Sequence, residues 1–556
     1  MIISDNSASA ADIDAGPVIV AKKSFGGSSA RLLWLLLGAI MLVGSALRLY
    51  HLDAQSLWMD EVSSLRNARA FGYGGIFALA RVDQVAPLHS IVLWLATIIG
   101  GDGAVSLRMP SVLAGIVTIA LTYMVAVRLF ANRWIGVLAA ALVAVSPYAI
   151  WYAQEGRMYA LLLMCAMIVT FLSLPVTHRA LRSWELVALT AATTVGYGMH
   201  HYMALLSAAL ALYLIVEGNA FKRRAWAWVV TQGVAFIIFL GWLYLTRDRL
   251  GNTAGTEKPS FLLWVPYTFY TYIVGFSFGP STREIQTGGA ALVPILKQNG
   301  LGIVLAGMSA LIVLATALRR AFQPDLRSVG RLLLIWLVMP ICIAILVTRF
   351  TNIRYNVRYV IVSFPALMLL FALAIEGVAV DLMARRGRSG LPVAPGAILF
   401  LQAAASMILV GCMLLSTYRH FTSLRYAKED ARSLASTLEQ VPVDTLVVTD
   451  NGRVTKVLGY YSHRVIPEQL QVDYRFESHS PERIWRNLVM ASEQRQGQIL
   501  LIQYRSWESD PHHFLRQCLD ALGSRIADKQ LPGIEMTFYP RITADRMAAL
   551  KAPRCR

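Results

Sequence analysis

Residues 87–99 read PLHSIVLWLATII, and where this run lies decides how the rest of the chain crosses a membrane. A helix needs roughly 17–25 residues to cross the hydrocarbon core, and these thirteen fall short. The run is therefore expected to lie at the interface or to re-enter, which makes residues 51–104 one long external loop. Later segments test that choice, because each span reverses the side of its loops and cytoplasmic loops collect Lys and Arg. Spans are read at about 32–47, 105–127, 135–151, 159–176, 184–200, 202–216, 226–245, 301–318, 332–348, 359–380 and 396–416. They put Arg128/Arg133, Arg179/Arg182, Lys222/Arg223/Arg224, Arg319/Arg320/Arg327 and Arg385/Arg386/Arg388 all inside. Counting 87–99 as a full span would put every one of those clusters outside. The expected fold is a polytopic α-helical membrane protein of about 11 transmembrane helices, amino terminus in and carboxyl terminus out.

Composition agrees. Of 556 residues, 56 % are hydrophobic and 15 % charged, against roughly 25 % charged in soluble domains; the mean hydropathy is +0.53. The excess of 51 Lys and Arg over 33 Asp and Glu reads as the positive-inside signature, and nucleic-acid binding is excluded because no soluble body carries a basic face. Residues 1–30 are polar and read as a disordered cytoplasmic tail, followed by a retained first span; the long polar leader argues against a cleaved signal peptide. Residues 31–420 form the membrane domain, with external loops at 51–104 and 247–300, the second bearing the aromatic run FLLWVPYTFYTYIVGFSF. Residues 421–556 read as a soluble external α/β domain, with strands in DTLVVTD (444–450), QLQVDY (469–474), QILLIQY (498–504) and IEMTFYP (534–540) and a helix in SPERIWRNLVMASEQ (480–494). It has no GxGxxG and no P-loop, and its expected role is to cover an external site or contact a partner. The five cysteines show no metal spacing, although Cys518 and Cys555 can pair in an oxidising compartment.

Four clusters sit at the external boundary. SLWMDEVSSL carries Asp60 and Glu61, where partial desolvation makes a carboxylate a competent base and where, alternatively, a helix N-terminus simply welcomes acids. SPYAIWYAQEGRMYAL carries Glu155, Arg157 and Tyr159, either a functional group of charges or a structural Glu155–Arg157 ion pair. GYGMHHYMALL carries His200 and His201, suited to substrate or metal as well as to an ordinary interfacial place. TRFTNIRYNVRYV holds Arg349, Arg354 and Arg358 with no acidic residue, on the side where positive charge is not expected. Snorkelling to lipid headgroups is one reading, and bidentate capture of an anionic lipid phosphate by guanidinium groups is the other. Together they suit transfer of a group from a lipid-linked phosphate donor at the external surface.

At these residues the chain resembles the bacterial GT-C glycosyltransferases that use polyprenyl-phosphate sugars, a group with protein mannosyltransferases, the aminoarabinose transferase of lipid A and lipopolysaccharide galacturonosyltransferases. The resemblance is carried by WMDE (58–61), PLHS (87–90), LRMPSVLAG (107–115), AQEGRMYAL (153–161), HHY (200–202) and RYVIVSFPA (358–366), in that order and over residues 32–420. It implies Asp60 as catalytic base with Glu61 beside it and Glu155 close to the same cavity. It implies donor-phosphate binding by Arg358 and Arg354; from their place at the external boundary Arg349 and Arg157 are further candidates for the phosphate, and Tyr159, His200, His201 and His89 are candidates for substrate contact. Many relatives carry His-Pro-Pro-Leu where this chain has Val85-Ala86-Pro87-Leu88-His89, which weakens the case for His89. Also implied are a bacterial inner-membrane location with the C-terminal domain periplasmic, a polyprenyl-phosphate-linked sugar donor, and a glycolipid, polysaccharide or protein acceptor. Some relatives hold a divalent cation beside the acids. A lipid-linked sugar flippase or an inactive scaffold of the same fold is the alternative.

Overall fold

The computed structural model describes residues 27–548 except 84, 219–221, 248–263, 288–291, 352–354, 390–395, 465, 468–469, 473–480, 495–496 and 511. Among the described residues, eight helices are long and apolar enough to cross a membrane. The pair α5 (Arg133–Val145) and α6 (Pro147–Ala153), bent by 60°, makes nine if it is one span. A helix occurs at each of the eleven expected spans, but α8 (Ser183–Met199) has 17 residues and α9 (Met203–Val216) has 14, so a count by length and composition stops at eight or nine. The decisive run forms α3 (Pro87–Gly100), 14 residues and equally short. Asp83 starts it by accepting the Val85 and Ala86 N–H groups at 2.9 and 3.1 Å and the Ser90 hydroxyl at 2.5 Å.

The first helix, α1 (Gly27–Leu49), is tied to α5 by a buried arginine. The last carbonyls of a helix have no partner within it. Here Arg48 supplies one, donating to Val143 and Ala144 at 3.0 Å each, and to Gly44 on its own helix at 2.9 Å. Ser146 then breaks the run: its backbone is extended and its hydroxyl accepts the Ala149 N–H at 3.3 Å, so that α6 turns away with Pro147 in its first turn. The bend matters because α6 leads straight into residues 154–158, where the charged cluster lies.

The long external loop is mostly helical. α2 (Met59–Ala80) runs from the Asp60/Glu61 pair to a break at Gly74 and Gly75; Gly75 has φ +62°, which only glycine adopts without strain. It packs on α3, and α3 on α4 (Ala104–Phe130).

The C-terminal domain has a four-stranded sheet of order β1-β2-β4-β3, with β1 (Leu446–Thr449) parallel to β2 (Ile499–Tyr504), and β4 (Ile534–Tyr539) antiparallel to both β2 and β3 (Ala527–Leu531). β1 and β2 are buried throughout and have apolar clusters on both faces, hence the unbroken apolar runs LVVT and ILLIQY. Three expected strands and the helix Pro481–Gln494 are present. At QLQVDY only a single bridge, Thr449 to Gln471, is seen, and part of that segment lies outside the described residues. β3, sequence ADKQL, is an exposed edge strand whose polar pattern escapes a hydrophobicity reading. Cys518 is disulfide-bonded, and Cys555 lies outside the described residues.

Replacing Arg48 by Met strands two helix-end carbonyls in an apolar interior, a loss of about 1–3 kcal/mol per buried unpaired group. The Arg48→Met protein is expected to unfold several degrees below wild type in detergent; an unchanged Tm would show that the carbonyls find other donors.

Candidate active site

The two acids that open α2 part at once. Glu61 reaches back to the Trp58 N–H at 3.4 Å and is otherwise committed to Arg108 of α4, with Nε to Oε1 at 2.8 Å and Nη2 to Oε2 at 2.7 Å. Both side chains are buried, 0 % and 3 % exposed. Arg108 spends its remaining N–H groups on the carbonyls of Leu52, Gln55 and Ser56, and Glu61 Oε1 also accepts the Gly156 N–H at 2.8 Å. A Cβ at residue 156 would lie 3.2 Å from the Leu107 carbonyl oxygen and 3.4 Å from Glu61 Oε1, so glycine eases this approach. Burial would raise the Glu61 carboxyl, but Arg108, Lys428 and the hydrogen bonds outweigh it and hold it at about 2.

Asp60 turns the other way and accepts from Arg358 Nη1 at 2.9 Å, with both side chains about one fifth exposed, 18 % and 22 %. Burial pushes its pKa up, while the charges of Arg358, Arg157 and Arg505 pull it down to about 2. Arg358 lies at the start of the short helix Val357–Ser363. There Asn356 accepts its N–H at 3.2 Å, and the Tyr148 and Tyr272 hydroxyls donate to the Val357 and Val360 carbonyls at 3.3 and 2.5 Å. Tyr272 belongs to the helix Trp264–Val274, cut from the aromatic run. In the same way Tyr355 stacks on Trp264 and shares a 2.6 Å hydrogen bond with Thr268. The aromatic run is thus the wall that sets the height of Arg358.

Arg157 does not pair with Glu155. It donates Nη1 to the Asp60 carbonyl at 3.1 Å and to the Ser64 hydroxyl at 2.6 Å. The Arg157 and Arg358 Nε atoms are both buried without a partner among the described residues, and the Arg358 guanidinium lies over the Tyr159 ring at 5.4 Å. Glu155 is 2 % exposed, and its carboxyl accepts no hydrogen bond and joins no ion pair among the described residues. Burial therefore raises its pKa, only partly offset by Lys428. His200 and Tyr159 are both buried, with ring centroids 6.0 Å apart, and His201 packs on His200. His89 is buried with Nε2 unpartnered, and burial together with the charge of Arg157 keeps it neutral, its pKa about 3. The structure thus gathers Asp60, Arg157, Tyr159, Arg358, His200 and His89 around one spot. Arg349 is exposed in the last turn of the helix Arg327–Phe350 and touches none of them, and Arg354 lies outside the described residues.

Two further cations come from the C-terminal region and carried no motif by which to find them. Lys428 sits over the Trp58 and Trp151 rings at 5.5 and 5.2 Å. Arg505 follows β2 with φ +49°, a strained value for a residue with a Cβ. Asp450 grips both of its neighbours, accepting the Tyr504 N–H at 2.8 Å and the Ser506 hydroxyl at 2.6 Å. The guanidinium so presented pairs with Glu429 at 2.7 Å and lies 5.7 Å over Trp58.

No group of three or more His, Cys, Asp or Glu that could hold a metal forms among the described residues, Glu61 is taken by Arg108 and Gly156, and Asp60 is taken by Arg358.

The chain shares its fold with known structures. ArnT from Cupriavidus metallidurans in the apo state aligns over 92 % of this chain and 98 % of its own, with TM-score 0.54 and 16 % identity. The archaeal oligosaccharyltransferase AglB from Archaeoglobus fulgidus, in complex with an inhibitory peptide and a dolichol-phosphate, aligns over 94 % of this chain and 75 % of its own, with TM-score 0.53 and 12 % identity. Residues 84–245 match the family described as dolichyl-phosphate-mannose-protein mannosyltransferase. No curated protein matches the sequence.

Removing one partner of a buried ion pair costs about 3–5 kcal/mol, so Glu61→Gln should lower folded yield and Tm sharply, whereas Asp60→Asn should leave Tm within a few degrees of wild type. Equal melting of the two variants would contradict the division of labour between these acids. Burial, the main cause, raises the Asp450 carboxyl from 3.8 to about 7. Between those values the folded domain keeps a proton that the unfolded chain gives up, so its stability falls as pH rises through that window. Near-ultraviolet circular dichroism melts at pH 4 and pH 8 should show the drop in wild type and a flatter profile in Asp450→Asn.

Proposed function

We propose that the protein transfers a sugar from a polyprenyl-phosphate carrier to an acceptor hydroxyl or amine at the periplasmic face of a bacterial inner membrane. The acceptor is a glycolipid, polysaccharide or protein of the envelope. The observation that carries the reading is the Asp60–Arg358 pair: a carboxylate and a guanidinium from elements 298 residues apart, partly exposed, and backed by Arg157, which joins no ion pair among the described residues. The dolichol-phosphate in the AglB complex supports it by analogy of fold.

In this reading the donor phosphate takes Arg358, with Arg157 beside it, and so releases Asp60. A carboxylate freed from its counter-ion in a buried site becomes a stronger base. Asp60 removes the acceptor proton, the acceptor atom forms its bond to the anomeric carbon, and the bond from that carbon to the phosphate oxygen breaks. Polyprenyl phosphate leaves with its new charge on Arg358, and the anomeric configuration inverts. Tyr159 and His200 form the floor on which Arg358 rests, and neutral His89 offers a proton-free nitrogen to a sugar hydroxyl.

The test is release of polyprenyl phosphate by purified protein given a panel of lipid-linked sugars and envelope extract. Asp60→Asn should cut turnover by about 10²–10⁴, and Arg358→Ala should chiefly raise the KM for donor. In the free enzyme Asp60 stays ionised down to about 2, so it puts no acid limb on kcat/KM above pH 4. Burial raises the Glu155 carboxyl above the ordinary glutamate range, so an acid limb from that group should vanish in Glu155→Gln. Full turnover by folded Asp60→Asn protein would remove Asp60 from the mechanism.

A further inference from the structure

Arg157 enters the site from a loop whose backbone is fixed on both sides. Glu61 takes the Gly156 N–H at 2.8 Å, and the Arg157 carbonyl accepts the hydroxyl of Ser111, a fully buried residue of α4, at 3.0 Å. The side chain is then caught at its far end. Nη1 donates to the Asp60 carbonyl at 3.1 Å and to the Ser64 hydroxyl at 2.6 Å, and that hydroxyl in turn donates to the same Asp60 carbonyl at 3.1 Å. Carbonyl, hydroxyl and guanidinium close a triangle. Serine hydroxyls in helices commonly bond the carbonyl four residues back, and the neighbouring Ser63 does so, donating to Met59 at 2.8 Å. Of these two serines on α2, it is Ser64, 2 % exposed, whose hydroxyl also accepts from a guanidinium.

A buried guanidinium can be held by a carboxylate or by neutral oxygens, and the consequences differ. Arg108 is held by Glu61, so the pair carries no net charge. Around Arg157 both acceptors are neutral, and it joins no ion pair among the described residues. Its geometry is therefore set while its positive charge stays whole. An arginine has many rotamers, and ordering one beforehand removes that cost from binding. A preordered, uncancelled guanidinium next to the Asp60 backbone is suited to a phosphate oxygen arriving at Arg358.

We infer that Ser64 is the positioning residue that aims Arg157 at the donor phosphate, and that the position holds a neutral hydroxyl because an acidic side chain would cancel the charge being aimed. The inference rests on the transfer reading above and deepens it. Arg358 is the cation that Asp60 gives up to the donor, and Arg157 is the one that meets the donor with no carboxylate to give up.

Binding of polyprenyl phosphate to the full-length protein in nanodiscs, followed by calorimetry, tests this without turnover. Ser64→Ala should weaken binding about three- to tenfold, the range of one neutral hydrogen bond. It should raise the donor KM by a similar factor and leave kcat within about twofold of wild type. Ser63→Ala, which removes the same kind of hydroxyl from the same helix, should bind as wild type does. Ser64→Asp gives Arg157 a charged acceptor and should bind polyprenyl phosphate more weakly than Ser64→Ala, whereas a serine needed only for folding would tolerate the stronger acceptor. In an Arg157→Met background Ser64→Ala should add nothing, the signature of a residue that acts through another. Wild-type affinity in Ser64→Ala or Ser64→Asp, equal losses in Ser63→Ala and Ser64→Ala, or an undiminished Ser64→Ala effect beside Arg157→Met would overturn the inference. The expected binding pattern without any turnover would defeat the transfer reading and leave the role of Ser64 standing. Asp60-dependent turnover with no response to Ser64 would do the reverse.

Discussion

Everything at the external end of the bundle hangs on Arg108. One guanidinium, buried in α4, joins three pieces of chain that are remote in sequence: the 52–56 turn, through three carbonyls, the start of α2, through Glu61, and the 154–158 loop, through the Glu61 bond to Gly156. A charge so placed is expensive to bury, and it is retained only if every N–H is used. Here Nε, Nη1 and Nη2 all have acceptors. The consequence is that Asp60, one residue before Glu61, is held by an anchor that takes no part in its own chemistry. A site built this way can lose or gain a counter-ion at Asp60 without moving its backbone, which is the condition for preorganised catalysis.

The C-terminal domain is locked to the same anchor region. The Tyr461 hydroxyl accepts the Leu57 N–H at 2.6 Å, the Ser56 hydroxyl donates to the Glu429 carbonyl at 2.8 Å, and the Tyr460 hydroxyl donates to the Asp102 carbonyl at 2.7 Å. Two of the three use a backbone group of the first external loop, and the third uses the Ser56 side chain. The loop is therefore shaped from below by Arg108 and from above by the soluble domain. Arg505, forced into a left-handed backbone by Asp450, sits on Trp58 at that seam. Strain of this kind persists where the surroundings over-determine it, and here two hydrogen bonds from one buried carboxyl do so.

Much of the fold was legible because it follows from apolar length and from period. The runs that read as spans are helices, and LVVT, ILLIQY and IEMTFY read as strands because sheets buried on both faces need unbroken apolar stretches. What the pattern missed, it missed for physical reasons. β3 is an exposed edge whose ADKQL owes its conformation to pairing with β4. At the site, adjacency in sequence showed that Asp60 and Glu61 mattered but not that they face opposite ways, and the suspected Glu155–Arg157 pair is absent because Arg157 turns to Asp60 and Ser64. Lys428 and Arg505 were invisible, since nothing local marks a surface lysine or a strand-end arginine as the neighbour of a residue several hundred positions away. A buried acid closing a strand, Asp450 in VVTDN, was the one available hint.

The distribution of charge then bears on the substrate. Arg108 is matched by Glu61, Arg505 by Glu429, and Arg358 by Asp60. Among the described residues Arg157 and Lys428 have no carboxylate in contact, and the Glu155 carboxyl, which pairs with no cation there, is raised by burial. A site with two such cations carries positive potential. In a low-dielectric setting such potential is tolerated only where an anion is expected to arrive. In the reading proposed above, the phosphate of a lipid-linked donor is that anion, and it meets Arg358 and Arg157.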